Sequence, residues 1–140
     1  MNTNRIVLGG LVAGLVLNIG EAALHAGVLA DATTKAYAAL NVPLAPDGMA
    51  MLQLIGMTFV HGVIGMLLYA SFAAGCCKPG VKLAIEVGLL LWLLSVVYGA
   101  IYLGAGYHGL LPANLIWTPV AWGLVEFPLA MVCGSRLYKV

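Results

Sequence analysis

A small set of polar side chains that could do chemistry lies inside long apolar stretches of this chain. Asn18, Glu21 and His25 interrupt the first stretch, His61 interrupts the second and Glu126 the last. At about 100° per residue, the first three side chains fall on one narrow face of a helix. A charged group near the middle of a bilayer costs about 2.5 kcal/mol or more unless it faces protein or water. We therefore expect this polar face to point inward, with other helices arranged around it.

The composition predicts the environment in which these side chains sit. Of the 140 residues, 63% are hydrophobic and 8% are charged, and the mean hydropathy is +1.05. Soluble domains carry about 25% charged residues, so the composition predicts an integral membrane protein in a lipid bilayer. The six basic residues are scattered and form no basic stripe. We therefore expect no nucleic-acid partner.

Four apolar segments are long enough to cross about 30 Å of hydrocarbon as helices. They cover about residues 5–30, 49–75, 81–106 and 114–134. The sequence thus predicts an all-α protein, one domain built as a four-helix membrane bundle. Because Asn18, Glu21 and His25 interrupt the first segment, we expect it to be a retained span and not a cleaved signal peptide.

The connections between these segments differ in length. Residues 76–80 make a short turn, which predicts that the second and third spans are antiparallel neighbours. Residues 31–48 make a longer connection, in which 32–40 is expected to be a helical extension or a short interfacial helix. Pro43 and Pro46 are expected to end it.

The basic residues near the ends of the spans predict the orientation. On one side lie Arg5, Lys78, Lys82, Arg136 and Lys139. Lys35 is alone on the other side, where His108 is also expected at the interface. Loops rich in Lys and Arg face the cytoplasm, so both termini and the 76–80 turn are predicted to be cytoplasmic. Glu86, one helical turn after Lys82, is expected to pair with it.

The cysteines have no spacing typical of a disulfide or a zinc site. Cys76 and Cys77 are adjacent, and Cys133 stands alone. Adjacent cysteines rarely bridge each other, and the cytoplasmic side is reducing, so free thiols are expected. The chain also lacks a Walker lysine, a dinucleotide fingerprint and a nucleophile elbow. A conventional hydrolase or dehydrogenase is therefore not expected.

Counting residues from the ends of the spans indicates which polar groups share a depth. At about 1.5 Å per residue, Glu21, His61 and Glu126 all lie near the middle of the bilayer. Asn18 and His25 lie one turn to either side of Glu21. We expect Glu21, His61 and Glu126 to form one internal polar site, flanked by Asn18 and His25. Its lining or gating side chains are expected to be Trp122, Tyr98 and Tyr102.

Three functions compete for this site, and the first is proton exchange. Two carboxyl groups close together in a medium of low dielectric cannot both ionise cheaply, so one should hold a proton or pair with a protonated histidine. Such a group can bind a proton or a cation in exchange for a solute. This is the chemistry of a small proton-linked carrier or channel. Four short helices enclose little volume, so such a protein is expected to be a homo-oligomer.

The second function is binding of a metal or haem. Glu21 and His25 form a Glu-x-x-x-His pair on one helix face, and His61 and Glu126 could complete a site for iron, manganese or zinc. His25 and His61 are also possible axial ligands of haem. Their estimated levels differ by roughly 10 Å, which counts against haem.

The third function is structural. Hydrogen bonds between Glu, His and Asn hold membrane helices together at about 1 kcal/mol or less each. The protein would then be an accessory or scaffold subunit of a larger membrane complex.

Two short motifs carry a family resemblance. Asn18-Ile-Gly-Glu21, together with the run from Trp122 to Ala130 (WGLVEFPLA), resembles an uncharacterised group of small four-span bacterial membrane proteins. The similarity covers most of the chain and implies a location in the bacterial inner membrane, but it brings no activity. It lends weight to Glu21 and Glu126 as defining positions. His25 and His61 are not part of it, which counts against a metal site shared with that group.

Overall fold

The computed structural model describes residues 2–43, 48–106 and 109–138. Within these ranges the chain is all-helical and has no strand. The helices are α1 (Thr3–Ala23), α2 (Ala30–Ala39), α3 (Gly48–Gly75), α4 (Val81–Trp92), α5 (Tyr98–Gly106) and α6 (Ala113–Ser135). Two wider π-helical turns interrupt this pattern: Leu24–Val28 continues α1, and Leu93–Val97 joins α4 to α5.

Four of the resulting helical segments are long and apolar enough to cross a membrane. They are Thr3–Val28, Gly48–Gly75, Val81–Gly106 and Ala113–Ser135. This confirms the predicted all-α chain with four long apolar helices. Only 17–33% of the most apolar part of each segment is buried inside the chain. Most apolar side chains therefore face outward.

The connection after the first long segment contains a separate short helix. The segment ends at Val28, and α2 begins at Ala30 after Leu29, whose backbone N–H donates to the Leu24 carbonyl at 2.9 Å. Of the two predicted forms for residues 32–40, the structure has the short helix. Pro46, His108 and Lys139, which entered the predictions above, lie outside the described residues.

The four long segments pack in a definite order. α1 lies between α3 and α6, and α6 also packs against α4. α3 contacts α4, to which the 76–80 turn joins it. The core between them includes the fully buried side chains Met66, Val87 and Met131. α6 stays helical through Pro119 and Pro128. At Gly88 the α4 backbone lies close to Pro128, since an added Cβ there would be 2.6 Å from the Pro128 Cα.

Glycines let α1 and α3 approach until their backbones touch. A Cβ added at Gly10 would lie 2.6 Å from the Val63 Cα, and one at Gly14 would lie 2.7 Å from the Phe59 Cα. From the other side, a Cβ at Gly62 would lie 2.6 Å from the Gly14 backbone nitrogen. This is the packing expected of small residues four apart in apolar helices. At Gly62 the nearest atoms of α1 are all backbone atoms of Gly10 and Gly14, so the two backbones are in direct contact there.

The same substitution at two glycines of α3 tests this close packing. Gly62→Ala should lower the free energy of unfolding by about 1–3 kcal/mol, because its methyl group must push α1 away. The matched control is Gly56→Ala, since a Cβ at Gly56 meets nothing within 4 Å. It should be neutral or stabilising by up to about 1 kcal/mol, because alanine favours a helix over glycine. Unfolding in detergent followed by circular dichroism measures both; equal effects would contradict the packing described.

Candidate functional site

Glu126 is the buried carboxyl group of the described chain. It lies on α6 with 5% of its surface exposed, and its side chain lies against the backbone of α1 at Gly20. A Cβ added at Gly20 would lie 2.7 Å from the Glu126 Cδ and closer still to Oε1. Glycine at this position therefore makes the room that the carboxyl occupies.

The Glu126 carboxyl has little hydrogen bonding to compensate its burial. Neither oxygen makes a well-formed hydrogen bond among the described residues, although the backbone N–H of Glu21 interacts with the carboxyl. A buried polar group without a partner costs about 1–3 kcal/mol, and a buried charge costs more. Groups of this kind persist in proteins when they serve a function or meet a ligand, a proton or water.

Next to Glu126, α1 carries an acidic and a basic side chain on one face. His25 Nε2 lies 3.2 Å from Glu21 Oε2, one helical turn apart, and the two side chains are 57% and 38% exposed. Electrostatic interactions link His25 with both Glu21 and Glu126, and they link the two carboxyl groups with each other. Glu126 thus lies across the α1–α6 interface from the Glu21–His25 pair and within electrostatic reach of it.

His25 belongs to one of the two π-helical turns, Leu24–Val28. A π-turn is an extra residue in an α-helix and changes the direction of the side chains beyond it, and such turns occur frequently at functional sites. The irregular backbone of the first long segment therefore begins one turn after Glu21, at the level of the Glu21–His25 pair.

Asn18 has its partners in the helices. Its side-chain nitrogen donates to the Gly14 carbonyl at 3.0 Å and to Thr58 Oγ1, and Thr58 in turn donates to the Ile55 carbonyl at 2.7 Å. The amide thereby links α1 to α3. Polar side chains commonly hold apolar helices together by interhelical hydrogen bonds of this kind.

His61 packs against Phe127, the residue after Glu126, and its ring nitrogen bonds within α3. Its Nδ1 is 2.8 Å from the Met57 carbonyl, which fits a ring with the proton on Nδ1. The ring meets Phe127 edge-on, with the centroids 6.2 Å apart and the planes at 87°. Within the described ranges, no hydrogen bond or ion pair joins His61 to Glu21 or Glu126. Its convergence with the two carboxyl groups stays a prediction.

The proposed lining residues lie at the surface. Tyr98 and Tyr102 on α5 are 67% and 58% exposed, and Trp122 on α6 is 36% exposed. A lining or gating role for them stays a prediction.

The candidate metal ligands are spread out. In the part of the chain that the structure describes, no three His, Cys, Asp or Glu side chains are arranged to hold a metal ion. Glu21 and His25 make a pair, and Glu126 lies across the helix interface from them. The observed grouping therefore offers no ready-made coordination site.

Two contributors to this region were missed from the sequence. Gly20 makes room for the Glu126 carboxyl. The sequence feature that could have indicated Gly20 is its position directly before Glu21 in the Asn18–Glu21 motif. Trp92 donates from Nε1 to the Val120 carbonyl at 2.8 Å and ties the α4 segment to α6, a contact that no local pattern indicates.

The fold and the site define a class: a small all-helical protein with four long apolar helices and a buried acid at the interface of the first and last. No protein-family model, curated protein or solved structure matches the chain.

Replacing Glu126 with an apolar side chain of similar length tests whether the acid holds the fold together. Glu126→Met should raise the free energy of unfolding by about 1–3 kcal/mol, because it removes a buried polar group whose burial is poorly compensated by hydrogen bonds. Thermal or denaturant unfolding in detergent measures the change. The control is Glu86→Met on α4, where the carboxyl is 54% exposed and lies 3.8 Å from Lys82; it should shift stability by about 0.5 kcal/mol or less. A clear loss of stability in Glu126→Met would show that the carboxyl is structural.

Proposed function

We propose that the chain is an integral membrane protein and a proton-linked carrier or channel for a small solute, with Glu126 as the group that binds the proton. The observation that carries this proposal is the buried Glu126 carboxyl, which makes no well-formed hydrogen bond among the described residues and lies against α1 next to the Glu21–His25 pair. A structural role would be expected to give the carboxyl oxygens hydrogen-bond donors, in the way that the Asn18 side-chain nitrogen has Thr58 Oγ1 as its acceptor.

The proposed chemistry follows from the cost of burying charge. An isolated carboxylate is expensive in an apolar interior, so Glu126 must hold a proton or meet a cation. A negative charge on Glu21 disfavours the ionised form of Glu126, whereas a protonated His25 favours the ionised form. In the proposed cycle a proton and a solute alternate at Glu126, and the partly exposed Glu21–His25 pair passes protons between Glu126 and water.

Membrane insertion is supported by the outward-facing apolar surface. Large apolar side chains are exposed along all four long segments, among them Ile19, Leu52, Leu94 and Val125, each more than 60% exposed. In water such a surface would drive aggregation, whereas in lipid it is solvated.

We place both termini and the 76–80 turn on the cytoplasmic side and the protein in a bacterial inner membrane. We also expect a homo-oligomer, because four helices enclose little volume.

A second candidate function is an accessory or scaffold subunit of a larger membrane complex. The observation that favours it is the use of polar side chains to hold helices together at Asn18 and Thr58. This candidate predicts a stable partner that co-purifies in mild detergent and no proton movement by the protein alone.

A proton-flux assay on the purified protein in sealed vesicles tests the leading proposal. Proteoliposomes with a pH-sensitive dye inside receive an imposed pH gradient, with Na⁺, choline or glycine as the trial solute on the opposite side. With at least one solute, vesicles that contain the wild-type protein should take up or release protons faster than protein-free vesicles. The flux with Glu126→Gln should be at least tenfold lower than the wild-type flux. Glu86→Gln, on the exposed Lys82–Glu86 pair, should keep it. Wild-type flux at the level of empty vesicles, or unchanged flux in Glu126→Gln, would overturn the proposal.

A second pair of variants moves the acid without removing it. Gly20→Ala should displace the Glu126 carboxyl, because the added methyl group would occupy its place, and the flux should fall. Gly27→Ala lies in the same long segment, where a Cβ meets nothing within 4 Å, and should leave the flux unchanged. Equal flux in both variants would mean that the position of the carboxyl does not matter.

A further inference from the structure

The turn between α3 and α4 holds two thiols side by side. Sγ of Cys76 and Sγ of Cys77 are 2.7 Å apart, and neither cysteine is bridged in a disulfide. Cys76 is exposed, whereas Cys77 is half-buried and packs against the hydrophobic core. One thiol is therefore open to solvent while its neighbour is anchored. This pair lies apart from Glu126 and plays no part in the proposed proton exchange.

The backbone of the turn fixes both cysteines at the end of α3. The amides of Cys76 and Cys77 donate to the same acceptor, the Phe72 carbonyl, at 3.0 and 2.9 Å. Further along, the Gly80 amide donates to the Tyr69 hydroxyl at 2.8 Å, and the ring of Tyr69 meets Tyr138 edge-on. Hydrogen bonds thus hold both ends of the turn, and the two sulfur atoms lie in contact within it.

A direct disulfide is a poor outcome for this pair. Cα atoms of adjacent residues are about 3.8 Å apart across a trans peptide. Ordinary disulfides join Cα atoms about 4.4–6.8 Å apart. A single atom that bridges the two sulfurs closes a wider ring and avoids this constraint.

The distance between the sulfurs selects the kind of bridging atom. At a bond of about 2.3 Å to sulfur, two sulfurs on opposite sides of an atom lie about 4.6 Å apart, and two at a right angle lie about 3.3 Å apart. The two sulfurs lie in contact, so a rotation of the side chains reaches the right-angle case well before the linear case. Linear two-coordinate ions such as copper(I) therefore fit poorly. Pyramidal acceptors, of which trivalent arsenic is the typical example, fit with a small rotation of the side chains.

We propose that Cys76 and Cys77 form a dithiol site for a trivalent, pyramidal thiophile of the arsenite type. Each of the two thiols loses its proton to a hydroxyl group on arsenic. Two As–S bonds form, two As–O bonds break and two water molecules leave. Arsenic stays trivalent and sulfur is not oxidised, so no further reactant is needed.

The probe for this site is phenylarsine oxide, which reacts with two thiols and releases one water. Reduced protein in detergent is treated with one equivalent, and the intact mass is measured after a wash with excess 2-mercaptoethanol. Wild type should keep one phenylarsenic group per chain, because two bonds to one protein resist a monothiol. An added 1,2-dithiol should remove it.

Single substitutions locate the adduct and can overturn the assignment. Cys76→Ser and Cys77→Ser should each lose the monothiol-resistant adduct, whereas Cys133→Ser, the matched control on α6, should keep it. Because Cys77 packs against the core, Cys77→Ala is the second variant at that position, and it should lose the adduct while its unfolding temperature stays near that of wild type. An adduct that survives in Cys76→Ser or Cys77→Ala, or its absence in wild type, would contradict the proposal.

Discussion

The close approach of the first long helix to its neighbours is the constraint on which the other features depend. α1 lies between α3 and α6, and glycine faces the neighbouring backbone on both sides of it. Toward α3 the contact is made by Gly10 and Gly14. Toward α6 it is made by Gly9, where an added Cβ would lie 2.8 Å from the Gly134 carbonyl oxygen. Contacts between backbones give up no side-chain entropy and gain dispersion energy, which is what holds helices together when the surroundings are also apolar.

The same constraint creates the site. Gly20 continues the close contact between α1 and α6, and the space that its missing side chain leaves is filled by the Glu126 carboxyl. The carboxyl is thereby held against the α1 backbone, where it makes no well-formed hydrogen bond among the described residues. Its burial is the reason why a proton or a ligand is expected to take part in its chemistry.

The polar side chains of the first long segment share one face of the helix but differ in their hydrogen-bond partners and their exposure. Asn18 bonds to α3 through Thr58 and serves the fold, whereas Glu21 and His25 pair with each other and stay partly exposed. The difference follows from the order of packing. At the level of Asn18 the face meets a helix that offers a hydroxyl group, and one turn later it reaches the π-helical turn and the surface. One face of the first helix thus carries both the interhelical Asn18–Thr58 hydrogen bond and, about one turn further on, the partly exposed Glu21–His25 pair.

The amino-acid sequence by itself determined the helical class, the four long apolar segments and the contacts between residues close in the chain. The Lys82–Glu86 and Glu21–His25 pairs were open to prediction because one helical turn brings residues four apart together. The spacing of Gly10 and Gly14 also indicates close packing, since small residues four apart share a helix face. Only the tertiary structure decided that Glu126 meets Gly20 and that the ring of His61 packs on Phe127. Counting residues gives the depth of a side chain along its helix, but the rotation of each helix and the choice of its neighbours come from how the surfaces of whole helices fit together.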